Sequence, residues 1–597
     1  MTTREKISAL REIMAQRGVD AWIAMNSDPH QSEYVAPHWQ ARAWLSGFTG
    51  SAGILVVTRD RAGLWTDSRY FIQAARQLAD SGIELFKSKM PGVPQYQDWL
   101  AAELPSGAAV GFDGRVMSIK QFEELREICA HKTLKFRHQE DLVAAIWADR
   151  PPIPAEPAFL LAQRFCGESR GSKFARVREA MREFGATLHV ISALDDIAWL
   201  FNIRGGDIAY NPLVIAYAAI SEREARLFIN PAKLPESAAA ALQADGVAFA
   251  DYDDLLPFLR QLPEQAALLI DPEKTAQAAH DAVPDHCLVI GAQNPALRLK
   301  ARKNETELAG MRQAHARDGA AMVKWLCWLD RHLGRDAFTE ISIAAPLEAF
   351  RRQNEHFQGL SFPTIAGYQA NGAICHYEAS PDTALPITRN DLLLVDSGAQ
   401  YLDGTTDITR TIALSPPTAR QKEDFTRVLQ AHIALATAQF PQGATGAQVD
   451  MFARQALWRH GLTYWHGSGH GVGHFLSVHE GPQGFRPENQ TPLEPGMVCS
   501  NEPGLYREGA YGIRIENLVI VIPAEQTAFG QFYRFETISL CPIDLTLIDA
   551  ALLTEAERGW LNAYHCRVRD TLTPYLNAEE AAYLQAVTHE IRSAEGV

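Results

Sequence analysis

The chain opens on an amphipathic run in which Ile7, Leu10, Ile13 and Met14 recur at three- and four-residue spacing up to Gly18. That period predicts a helix burying one face and ended by glycine, and the apolar AWIAM after it predicts a strand. The order returns later in the chain. VREAMREF ends at Gly185, TLHVISA follows, and DIAWLFNIRGG stands where the first copy has ARAWLSGFTGSAGILVVT. Helix, glycine, strand and AWL in one order predict a duplicated α/β unit, with two unrelated α/β domains as the alternative. Between the copies, ADRPPIPAEPAF (148–159) carries four prolines. Proline neither continues a helix nor donates to a sheet, so this is an extended connector with a boundary near Pro154.

Near residue 299 the pattern changes. Asn304 and Glu307 have capping-box spacing, opening a long helix to about His332 with Leu308, Met311, Met322, Trp325, Leu326 and Leu329 apolar. A second helix covers roughly Gln421 to Ala438. Strand-like runs follow or intervene: DLLLVDSG, TTDITRTIAL, GMVCSNEPGLY, YGIRIENLVIVI and YRFETISL. Helices with hairpins predict an α+β domain with a strongly bent antiparallel sheet, and the amphipathic tail from about Leu552 packs on it. The expected division is 1–154, 155–298 and 299–597, in keeping with about 150 residues per domain.

Composition narrows the classes. Hydrophobic residues make up 47% and charged residues 21%, ordinary for a folded globular chain. A net charge of -15 without a Lys/Arg cluster argues against a nucleic-acid partner. The N-terminus lacks the apolar core of a secretory signal and no run approaches eighteen apolar residues, so the expectation is a cytoplasmic protein with no membrane partner. The eight cysteines form no CxxC pair, which fits reduced thiols and neither a disulfide framework nor a thiolate zinc site.

Candidate chemistry lies on the last set of strands. Asp396 and Asp407 stand eleven positions apart across a connector with Gly398 and Gly404, so a hairpin can turn both inward. Glu502 follows an apolar strand, and Glu516 lies in GIRIENLVIVI, where alternation puts Arg514 and Glu516 on one face. An acidic residue in so apolar a strand is costly unless paired. HGSGHGVGHFLSVHEGP (466–482) adds His466, His470, His474 and His479. Each residue alone has a plainer reading: Asp407 and Asp396 as turn residues, Glu502 as a loop residue before Pro503, Glu516 in an ion pair with Arg514, the histidines as a polar network. Four carboxylates, about −4, balance two divalent ions, about +4, and leave room for one bridging hydroxide, and an oxygen-rich set with a single imidazole suits Mn²⁺ or Co²⁺.

In this order, Asp396, Asp407, His470, Glu502 and Glu516 resemble the five-ligand set of the pita-bread metallopeptidases, the group of methionine aminopeptidase, prolidase, creatinase and aminopeptidase P. LLLVDSG, DGTTDITRT, SNEPGLY and IRIEN, with SDPHQSEYVAP, SGFTGSAG, WTDSRYFIQA and WLFNIRGGDIAYNP, are most similar to aminopeptidase P of the long, three-domain kind. The resemblance implies two creatinase-like N-terminal domains before a pita-bread catalytic domain, and hydrolysis of the N-terminal Xaa-Pro bond of peptides. It implies that Asp396 binds one ion, Asp407 and Glu516 bridge both, and His470 with Glu502 completes the other, Glu502 serving also as general base. His376, His466 and His479 match substrate-holding or catalytic histidines, and Tyr506 and Arg514 match residues near the proline pocket. His474 matches nothing and is a surface or packing residue. Manganese is the expected metal, with Co²⁺ or Zn²⁺ as alternatives, and a homodimer the expected assembly. Prolidase is the nearest alternative; a metal-free pita-bread binding module is a remote one, disfavoured by the complete ligand set, whose loss also sets creatinase apart.

Overall fold

Helix Thr3–Arg17 forms as its spacing dictates: Thr2 and Glu5 close a capping box, Ile7, Leu10 and Met14 bury, and Gly18 leaves the helix at φ 62°. The structure, a computed structural model, describes residues 1–592; the last residues of the third expected domain, 593–597, lie outside the described residues. Ala21–Ala24 is an inner strand of a six-stranded sheet ordered Glu84–Lys87, Ala62–Thr66, Ile54–Thr58, Ala21–Ala24, Ala109–Phe112, Lys135–Arg137. A second six-stranded sheet repeats it, ordered Val247–Ala250, Ala225–Ile229, Ala216–Ser221, Leu188–Ile191, Ala267–Ile270, Leu288–Gly291. In each, the inner strand pairs antiparallel on one side and parallel on the other. The two AWL motifs fall on equivalent short helices, Ala41–Ser46 and Leu194–Leu200. The duplication is therefore one of topology as well as motif. Both sheets belong to one compact unit, residues 1–161 with 168–297.

The other compact unit comprises 162–167 with 298–597. Helix Glu305–His332 starts at the anticipated capping box, Asn304 Oδ1 accepting from Glu307 N–H while Glu307 Oε2 accepts from Asn304 N–H, each at 3.0 Å. Helices Ala419–Ala436 and Gly446–Trp458 pack together. The sheets are antiparallel: Ile365–Tyr368, Leu392–Ser397 and Ile408–Ala413 form one, and a six-stranded sheet runs Gln439–Pro441, Gly530–Thr537, Asn517–Thr527, Val498–Asn501, Gly469–Gly471, Glu480–Phe485. A hairpin of Gly504–Arg507 with Tyr511–Arg514 pairs as a separate two-stranded sheet. This is the α+β pita-bread arrangement the motifs imply.

Two close approaches fix the strands around the site. A Cβ on Gly469 would stand 1.9 Å from Ser500 O, and one on Gly512 1.7 Å from Gly372 O, so the strand bearing His470 and the hairpin bearing Arg514 pack at distances only glycine permits. The tail forms helices Glu555–Leu572 and Ala578–Val587, whose Leu561, Tyr564, Val568 and Leu584 join Phe425, Leu429, Ile513 and Ile515 in one core. The C-terminal helices are thus part of the unit that carries the candidate site. Leu561→Ala, at a fully buried position, is expected to cost about 2–5 kcal/mol and lower the thermal midpoint; an unchanged midpoint in scanning calorimetry would show the tail to be dispensable to that core.

Candidate metal centre

The candidate ligands sit where strands stop. Asp407 lies in the two-residue gap between Gly404–Thr405 and Ile408–Ala413, Glu502 in the gap between Val498–Asn501 and Gly504–Arg507, and Glu516 in the gap between Tyr511–Arg514 and Asn517–Thr527. His470 is on the short strand Gly469–Gly471, whose register slips between His470 and Gly471. Such breaks re-aim side chains that an unbroken pleat would send to alternate faces. Asp396 alone stays within a regular strand, opposite Thr409. This corrects the expectation of one continuous strand through Glu516: the apolar run is interrupted at 515–516, and the residue leaves the pleat.

The structure brings three ligand atoms, from Asp407, His470 and Glu516, within 4.8 Å of one another. Glu502 Oε1 is 3.8 Å from His470 Nε2, and Asp407 Oδ2 is 3.4 Å from the same nitrogen. Nδ1 of His470 lies 3.0 Å from Gly471 O, so the Nδ1–H tautomer donates to that carbonyl and leaves the Nε2 lone pair facing the carboxylates. Asp396 divides its two oxygens. Oδ2 accepts from Arg514 Nη2 at 2.6 Å, while Oδ1 is buried with no hydrogen-bond partner among the described residues.

Electrostatics show what this costs. Burial, then the charges of Asp407, Asp396 and Glu502, hold the Glu516 carboxyl well above its ordinary range. Burial also raises Glu502, against the pull of His470 and Arg514, and raises Asp396, against that of Arg514. Burial disfavours the imidazolium of His470, yet Asp407 and Glu502 overcome it and push its pKa up to about 9. A cluster of carboxylates forced toward protonation, with one buried oxygen unpaired, is a donor set that cations complete. The residues fit a pair of hard divalent ions.

The other expected residues surround this group. His466 Nε2 is 2.9 Å from Tyr506 Oη, Tyr506 Oη accepts from Arg514 Nη1 at 2.8 Å, and Cys375 Sγ is 3.7 Å from Tyr506 Oη. Arg514 is therefore an ion-pair partner of Asp396 and not, as in the plainer alternative reading, of Glu516. The half-buried His479 packs its ring 4.3 Å from that of His470. His376 lies in a turn after the 3₁₀ segment Gln369–Ala373, whose Gly372 packs closely against Gly512. His474 is buried. Thr409 was overlooked: its hydroxyl donates to Glu516 Oε2 at 2.7 Å. The signal was its spacing, two residues after Asp407 in DITRT.

Comparison with known proteins is consistent with this geometry. Residues 309–523 match the metallopeptidase family M24 and 531–591 the C-terminal region of that peptidase, while 6–146 and 149–307 each match the creatinase/prolidase N-terminal domain. Fold and site define a metallopeptidase of the M24 class. A probable Xaa-Pro aminopeptidase P of Laccaria bicolor is 42% identical over 98% of this chain and 92% of its own. Belonging to the Xaa-Pro aminopeptidase P family is thereby shown for this chain. The crystal structure of an X-prolyl aminopeptidase from Caenorhabditis elegans, described as a cytosolic enzyme with a di-nuclear active site, superposes with a TM-score of 0.94 at 34% identity, covering 99% of this chain and 100% of that one. The prolidase of Pyrococcus horikoshii OT3 shares the fold over 63% of this chain and 99% of its own, with a TM-score of 0.50 and 22% identity. No helix among the described residues is long and apolar enough to cross a membrane.

The pKa shifts fix the direction of a pH test. Glu516 is raised in the folded state, so without metal the native chain binds more protons than the unfolded chain above about 4.5, and stability from this group falls as pH rises. His470, also raised, contributes stability present below its unfolded value of 6.5 and lost as pH rises through about 9. Metal needs both groups deprotonated, so its binding strengthens over the same interval. The gap in thermal midpoint between metal-loaded and chelated protein is expected to widen steadily from about pH 5 to 8; a gap that stays flat or narrows would dissociate these groups from the metal.

Proposed function

We propose that this chain is a metal-dependent aminopeptidase that hydrolyses the first peptide bond of Xaa-Pro peptides and releases the N-terminal residue. The observation that carries the reading is the convergence of Asp407, His470 and Glu516, with Glu502 and Asp396 beside them, in a chain akin to Xaa-Pro aminopeptidases over nearly its whole length. In this reading Asp396, Asp407, His470, Glu502 and Glu516 would hold the two ions. One imidazole among oxygens favours Mn²⁺, with Co²⁺ or Zn²⁺ as alternatives.

When bound, such an ion pair supplies a water of lowered pKa and Lewis acidity toward the scissile carbonyl. The chain's residues do the rest. Glu502, its carboxyl raised by burial, takes the water's proton as general base. His376 and His479 stabilise the developing oxyanion and protonate the proline nitrogen as the bond breaks. His466, Tyr506 and Arg514 form a hydrogen-bonded row that shapes the proline subsite. The Xaa-Pro bond has no N–H, so a subsite for the ring replaces the hydrogen bond that other peptidases make there.

The same reading divides the chain into 1–154, 155–298 and 299–597, the first two as creatinase-like domains. It makes the substrates peptides with a free N-terminus, the compartment cytoplasmic and the assembly a homodimer. Exposed Met451, Phe452, Trp458 and Trp465, on helix Gly446–Trp458 and the loop after it, favour self-association.

Two experiments test the proposal. With Mn²⁺ added to chelated protein, an Arg-Pro-Pro peptide is expected to release free arginine, followed by mass; cleavage confined to an Arg-Pro dipeptide would move the assignment to prolidase. Glu502→Ala is expected to keep the fold and lose activity by several orders of magnitude, about the scale of removing a general base and a ligand together; near wild-type turnover would remove Glu502 from the mechanism.

A further inference from the structure

Arg410 is the side chain behind the metal centre that the reaction does not use. It is 2% exposed and lies on strand Ile408–Ala413. Its N–H groups are shared among six neutral acceptors. Nε donates to Pro542 O at 2.9 Å, Nη1 to Thr409 O at 2.9 Å and Glu516 O at 2.6 Å, and Nη2 to Asn517 Oδ1 at 2.8 Å, Cys541 O at 2.8 Å and Tyr564 Oη at 2.9 Å. Two of these, the Glu516 carbonyl and the Asn517 side chain, lie at the strand break that aims Glu516. Three more, Cys541 O, Pro542 O and Tyr564 Oη, belong to the C-terminal region, where helix Glu555–Leu572 supplies Tyr564. Residues 409 and 410 thus hold Glu516 at three points: its N–H donates to Thr409 O at 3.2 Å, its carbonyl accepts from Arg410, and its Oε2 accepts from the Thr409 hydroxyl.

We propose that Arg410 and Tyr564 are positioning residues of the metal centre, the C-terminal helix fixing Arg410 and Arg410 fixing the backbone break that presents Glu516. The proposal rests on the reading of Glu516 as a ligand. A guanidinium is needed because its fork reaches acceptors on opposite sides at once, which a lysine ammonium cannot do. Removing the Tyr564 hydroxyl takes away one of the three acceptors that the two Nη2 N–H groups share and loosens the C-terminal hold on the fork, an outer-shell change of the kind that lowers metal affinity by about 10–100-fold.

The test uses the full chain with Tyr564→Phe, Arg410→Lys and, as control, Glu516→Gln. Mn²⁺ affinity is measured by competition with a fluorescent chelator, beside kcat, KM and the thermal midpoint of chelated protein. Tyr564→Phe is expected to bind Mn²⁺ about ten-fold more weakly, with KM unchanged at saturating metal and kcat restored by excess Mn²⁺; Arg410→Lys is expected to weaken it further. If Glu516→Gln loses metal while both other variants bind Mn²⁺ as wild type, the positioning role is overturned and the ligand reading stands. A lower midpoint with wild-type affinity, the mark of a merely structural residue, overturns it too. Wild-type affinity in Glu516→Gln would overturn both.

Discussion

Four carboxylates gathered in a buried pocket repel one another, and the rest of the catalytic unit is arranged around that repulsion. Two unit charges 4 Å apart at the effective dielectric of a protein interior differ by about 4 kcal/mol from the same charges far apart, so several such pairs rival the net stability of a domain, about 5–15 kcal/mol. Protonation is one release, visible in the raised carboxyls of Glu502 and Glu516. Arg514 is another, cancelling one charge through Asp396. Two divalent cations are the third, and only they leave every carboxylate ionised. With Arg514 counted, two divalent ions, four carboxylates and one hydroxide sum to neutrality. The protein's own cation therefore balances the hydroxide that hydrolysis requires.

Holding such a cluster demands backbone that is rigid yet locally irregular. Asp407, Glu502 and Glu516 each occupy a two-residue gap flanked by paired strands, and His470 sits at a slip in register. The flanking strands fix the ends of each gap, so the side chains converge without a flexible loop. Glycines at 469 and 512 permit the neighbouring segments to close up. An uninterrupted sheet would have aimed these residues alternately to two faces.

This is also why the fold was more legible in the sequence than the site's geometry. Helix Glu305–His332 announced itself by Asn304 and Glu307, and the N-terminal duplication by helix, glycine, strand and AWL, because period and capping act locally. The five ligand types stood out for the same reason: Asp, Glu and His are costly in apolar runs. The breaks did not, since IRIENLVIVI keeps its apolar character straight through residues 515–516 and only Pro503 marks a gap chemically. Contacts between distant segments were invisible as well. The ion pair of Arg514 with Asp396 joins residues 118 positions apart, and Arg410 reaches Tyr564 across 154.

Asp396 shows how ligand geometry and substrate recognition become one element. Oδ2 is committed to Arg514, Arg514 donates also to Tyr506, and Tyr506 meets His466, so a single hydrogen-bonded row runs from Asp396 to the histidine loop. Each member is held by its neighbours: burial keeps the Tyr506 hydroxyl protonated and thus able to donate, while Arg514, though buried, stays charged beside Asp396. A substrate group displacing Tyr506 or His466 would be felt at Oδ2, and through it at the orientation of Oδ1. Under the proposed assignment of Asp396 to an ion and of this row to the proline subsite, the two are coupled through one carboxylate. The same coupling limits what can vary here, because a change at Arg514 leaves a buried charge on Asp396 unpaired as well as altering the subsite.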